Sequence, residues 1–159
     1  GNYASSDAPA GFTLLREAGE TFPTVRLKPD VPADVTIVAL GGMSMDAEQA
    51  VMRLFEEEEI AADLFLPTRL YPFDVDVLAE SLQTTRGLVV VEESQGFVSL
   101  SSEIIAQVAE RYPQLGVTCR RVTAEPVPIP AARPLEERCL PGADAIVERT
   151  MEVVNALVH

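Results

Sequence analysis

The chain has no tryptophan, one histidine and two cysteines in 159 residues. The histidine is the last residue, His159, so no Ser-His-Asp or Cys-His catalytic set can be built inside the chain. Cys119 and Cys139 lack Cys-x-x-Cys spacing, and a single histidine leaves no credible set of soft metal ligands. Both read as reduced structural thiols, and Cys119, inside an apolar strand, reads as core packing. Bases are also scarce, 12 against 25 acids for a formal charge of −13. That balance excludes nucleic acid as a partner, because phosphate binding needs clustered Lys and Arg. No apolar run approaches the roughly 20 residues that cross a bilayer. The opening GNYASSDAPAG has neither the basic stretch nor the apolar core of a secretory signal. The expectation is a cytoplasmic domain that does not meet a membrane.

What is present is apolar residue in quantity, 47% of the chain, enough for one domain of this length to bury a core but not for two. The acidity is local. From Asp34 to Arg111 there are 15 acids and 4 bases, which accounts for −11 of the −13. Such a surface serves solubility, or it meets a basic protein partner.

Residues 1–22 mix Ala, Ser, Gly and Asp without a lasting period, and read as a linker ahead of a domain over 23–159. A short strand is predicted at Thr24 to Lys28. The run TIVALGG after Val35 is a buried β-branched strand ending in two glycines, and the spacing behind it turns helical. Ala47, Ala50, Val51, Leu54 and Phe55 share one face of that helix, and Asp46 with Gln49 fits a capping box that would fix its start. Leu64 to Leu66 form the next strand, and a short helix from Val75 to Leu82 can begin after Asp74 as N-cap. LVVVEES is a strand apolar on both faces. Ile104, Ile105, Val108, Ala109 and Tyr112 mark a third helix, and Val117 to Val122 a further strand. Five of the twelve prolines lie between Pro126 and Pro141, which implies an extended segment. A last helix over Ala143 to Leu157 points Ile146, Val147, Met151, Val154 and Leu157 inward. Alternating helices and strands apolar on both faces call for a mostly parallel sheet covered on both sides, a three-layer α/β/α sandwich.

In such a sheet ligands sit beyond the C-terminal strand ends. The residues predicted there are Gly41, Gly42 and Ser44, then Thr68 and Arg69, then Glu92 to Gln95, with the loop Ser94 to Ser102 beyond. Gly41-Gly42 ahead of a helix can present backbone N–H groups to an anion, but without full GxGxxG or Walker spacing a simple tight turn is the favoured reading. Glu92 and Glu93 are adjacent on a strand, so they point to opposite faces and cannot act as a paired acid and base on one atom. A structural role, accepting bonds from a neighbouring loop, stands beside a catalytic one. Glu56, Glu57, Glu58 and Glu59 crowd like charges at a helix C-terminus, where the dipole already disfavours them. That placement hints at a cationic partner, or is a solvated helix end.

Several segments, in order, resemble the C-terminal domain of the β subunit of pyruvate and branched-chain 2-oxo acid dehydrogenases, a domain of the transketolase C-terminal type. They are DVTIVALGGM from Asp34, PTRLYPFD from Pro67, VVVEES from Val89, SSEIIAQVAE from Ser101, PVPIP from Pro126 and PLEERCLP from Pro134. The resemblance covers about residues 23 to 157. In two places the chain departs from the pattern: Thr68 precedes Arg69 where the family has Arg before Thr, and Ser99 and Ser101 stand where it favours glycines. The resemblance implies a five-stranded, mostly parallel sheet whose antiparallel edge strand is Thr24 to Lys28. It further implies that thiamine diphosphate and magnesium belong to other domains of a parent enzyme, since the magnesium motif of that family has no counterpart here. The domain itself would serve assembly, with the dehydrogenase α subunit or upstream domains, with itself, and with the basic subunit-binding domain of an acyltransferase. No catalytic, cofactor or metal residue is then expected in this chain. Two other readings stay open: the equivalent domain of a sugar transketolase, and a stand-alone anion-binding module working at Gly41 to Ser44.

Overall fold

The computed structural model describes residues 8–17, 23–68, 73–95, 99–124 and 142–158. The Arg69 position, Cys139 and the proline-rich stretch from Pro126 to Pro141 lie outside the described residues.

Six strands form one sheet: β1 (Phe12–Glu17), β2 (Thr24–Pro29), β3 (Val35–Ala39), β4 (Ala62–Pro67), β5 (Gly87–Gln95) and β6 (Thr118–Ala124), in the order β1-β2-β4-β3-β5-β6. Strands β4, β3, β5 and β6 are parallel, and β2 runs against both of its neighbours. The antiparallel strand is therefore where it was expected, but it is not the edge. Residues 12–17, read above as linker, add a sixth strand outside it. The reason is the alternation Phe12-Thr13-Leu14. Phe12 is buried with its ring 5.2 Å from that of Phe55, Leu14 pairs with Leu27, and Thr13 donates to Asp30 at 2.6 Å. The alternation is short and breaks at Leu15, so its period of two does not stand out.

Helices α1 (Ser44–Glu57), α2 (Ala79–Thr85), α3 (Leu100–Arg111) and α4 (Ala143–Val158) complete the sandwich. Successive strand residues face opposite layers. Ile37, Leu64, Val89 and Val91 pack with Ala47, Val51 and Leu54 of α1 and Ile146 and Val153 of α4. Val38, Phe65, Leu88 and Val90 pack on the other side with Leu78, Leu82, Ile104 and Val108. These central strands are buried on both faces, as parallel strands between helical layers must be.

Three local expectations change. Helix α1 begins at Ser44, one 3-10 turn (Gly41–Met43) beyond β3, and its N-cap Met43 makes no side-chain cap bond. Gly41, at φ 63°, makes this early start sterically free, so Asp46 falls inside the first turn and only complements the helix dipole. In α4 the fully buried positions are Ile146, Thr150 and Val153, with Val147, Met151 and Val154 partly buried against the same core as expected. Leu157 is 36% exposed, and Thr150 is tolerated in the core because its hydroxyl donates to the Ile146 carbonyl at 2.7 Å. Cys119 is only partly buried, because β6 is an edge strand, and burial still pushes its thiol above the ordinary range.

Candidate functional site

The C-terminal ends of β3, β4 and β5 meet at one edge of the sheet, as the alternation required. Leu40 donates its N–H to the Val91 carbonyl at 2.8 Å, which joins the Gly41-Gly42 turn to the end of β5. At the next strand end, the Thr68 hydroxyl donates to the Pro23 carbonyl at 2.6 Å, so that side chain holds the entry to β2.

Glu92 and Glu93 do point to opposite faces. Glu92 is 6% exposed, turned toward α3. It accepts the Ser101 N–H at 2.9 Å and, in a very short bond, the Ser101 hydroxyl. Ser99 caps the same helix by accepting the Ser102 N–H at 3.3 Å, and Arg121 of β6 donates to the Ser102 hydroxyl at 2.7 Å. Ser101 and Ser99 are thus the partners that anchor a buried carboxylate and start a helix. Nothing in periodicity revealed that. The signal available was a charged residue in an otherwise apolar strand, which needs a partner once buried.

Glu93 is exposed on the α1 side. A methyl group built on Gly42 would lie 2.5 Å from Glu93 Oε1, so the carboxylate rests against the backbone of the turn. An anion approaching the N–H groups of Gly41 to Ser44 would meet this negative charge. The edge therefore does not fit a diphosphate, and among the described residues no group of three or more His, Cys, Asp or Glu could hold a metal ion.

The acidic run ends α1. Glu57 is its last residue, Glu58 donates its N–H to the Leu54 carbonyl at 3.1 Å, and Ile60 donates to the same carbonyl at 2.9 Å. Glu59 takes the left-handed conformation at φ 56°, a position where glycine is usual. All four glutamates are exposed. Away from this run, Tyr112 at the end of α3 donates its hydroxyl to Asp76, which Arg111 also approaches at 3.2 Å. The bond to Asp76 pushes the Tyr112 phenol up to about 12 and holds the Asp76 carboxyl below its usual range.

Comparison with known proteins agrees with this architecture. The family model described as "Transketolase, C-terminal domain" matches residues 25–146. The β subunit of acetoin:2,6-dichlorophenolindophenol oxidoreductase from Bacillus subtilis is 32% identical over 149 residues, 91% of this chain and 43% of that protein. The mitochondrial pyruvate dehydrogenase E1 component subunit β of Caenorhabditis elegans is 34% identical over 124 residues, 76% of this chain and 35% of its own length. A solved structure described as a split gene transketolase, inactive β4 tetramer, superimposes with a TM-score of 0.68 at 32% identity, covering 83% of this chain and 41% of that one. The chain spans well under half the length of the curated relatives it matches. Among the described residues no helix is long and apolar enough to cross a membrane.

Proposed function

The chain belongs to the transketolase C-terminal domain family, and from that premise we propose that it is the assembly and partner-docking domain of a thiamine-diphosphate-dependent 2-oxo acid dehydrogenase working in the cytoplasm. Its partners in this reading are the α subunit or the catalytic domains of the parent enzyme, further copies of itself, and the basic subunit-binding domain of an acyltransferase. Thiamine diphosphate and magnesium are held elsewhere in the parent, which carries out the oxidative decarboxylation.

The observation that carries the reading is the commitment of the buried upper-edge carboxylate to this chain's own helix start. Glu92 is spent on Ser101 and the exposed Glu93 lies beside Gly42, so at the edge where an α/β enzyme keeps its ligand the buried carboxylate holds a loop of this chain in place. The surplus of acids supports a basic partner, and the relatives described as β subunits support a subunit role. The split gene transketolase favours a second reading, in which the parent acts on sugar phosphates.

The test is a titration of the chain with the acyltransferase subunit-binding domain at rising salt. Affinity should fall steadily, since a Debye length of about 8 Å at physiological ionic strength shortens further as salt increases. Changing Glu56, Glu57, Glu58 and Glu59 together to Gln should flatten that dependence. Absence of binding at low salt, or binding indifferent to salt, defeats the docking role. Reconstitution with the catalytic partner then separates the two substrate classes by turnover of a 2-oxo acid or of a sugar phosphate.

A further inference from the structure

We draw no further inference here: the strongest candidate, the open groove between α1 and the β1-β2 side of the sheet, lined by Pro9, Leu27, Met45, Glu48 and Met52 among others, carries nothing because nothing in the structure shows what covers it.

Discussion

Loss of the Asp63 carboxylate should be among the most damaging single changes in this fold. Asp63 sits on β4 with a side chain 2% exposed, and Arg26 on the neighbouring β2 with one 4% exposed. Arg26 Nε and Nη2 donate to the two carboxylate oxygens at 2.9 and 2.6 Å, a bidentate pair, and the guanidinium carbon stands 4.9 Å above the Phe65 ring. Removing one member of such a pair leaves a buried charge uncompensated and typically costs 3–5 kcal/mol. Glu80, 71% exposed with a carboxylate oxygen 3.6 Å from Arg26, can swing inward and recover part of that. Asp63→Ala should therefore cost about 3 kcal/mol, or about 6–12 °C in melting temperature for a domain of this size. Urea unfolding followed by circular dichroism, with unchanged slope, measures it directly. The double change Arg26→Met with Asp63→Leu should return to within about 1 kcal/mol of wild type, because well-packed apolar replacements of a buried pair are often neutral. A cost below about 1 kcal/mol for Asp63→Ala, or a double variant as unstable as the single one, would refute the view that the charge is truly desolvated.

Two glycines should respond very differently to alanine. At Gly87 the new methyl would lie 2.7 Å from Val153 Cγ1 and 2.8 Å from Leu157 Cδ1, forcing α4 off the sheet at a cost of about 1–3 kcal/mol in denaturant unfolding. At Gly42 the obstacle is only the far end of the exposed Glu93 side chain, which can rotate into solvent, so Gly42→Ala should change stability by less than about 0.5 kcal/mol. Tyr112 should be the last tyrosine to ionise in an absorbance titration, near its value of about 12, and Tyr112→Phe should abolish that phase. Since its folded value is raised above the ordinary 10, its contribution to stability is complete below pH 10 and is lost as pH rises to about 12. Asp76 works in the other direction, its contribution vanishing as pH falls through its lowered value.

Much of the sandwich could be read directly because its central strands carry an unmixed signal. TIVA in β3 and LVVV in β5 are apolar on both faces, which leaves a parallel sheet between two helical layers as the arrangement that buries them. The stripe Ala47, Ala50, Val51 and Leu54 falls on the buried face of α1 for the same reason. Asp74 caps the short helical segment after it, accepting the Asp76 N–H at 2.9 Å. Edges were less legible. Strand β1 is half polar because an edge strand needs only one apolar face, and three or four alternating residues do not stand above chance. The start of α1 was placed by a capping pattern, whereas glycine conformation decided it.

The upper edge shows why strand-end residues could be located by sequence while a structural and a catalytic role for them both stayed open. Topology places Gly42, Glu92 and Glu93 at the ends of β3 and β5 whatever they do, so their position was predictable from order alone. Their roles depend on partners distant in the chain and on which face each side chain takes. Glu92 reaches Ser101, nine residues on, and Glu93 reaches back to Gly42. The same limit hid the Met45 groove, whose walls come from Pro9, Leu27 and α1, three segments that only the antiparallel return of β2 brings together. A surface assembled in this way has no motif. Its components read as an ordinary helix face and a strand until the sheet order makes them neighbours, and only then does the acidic run at the end of α1 acquire an apolar floor beside it.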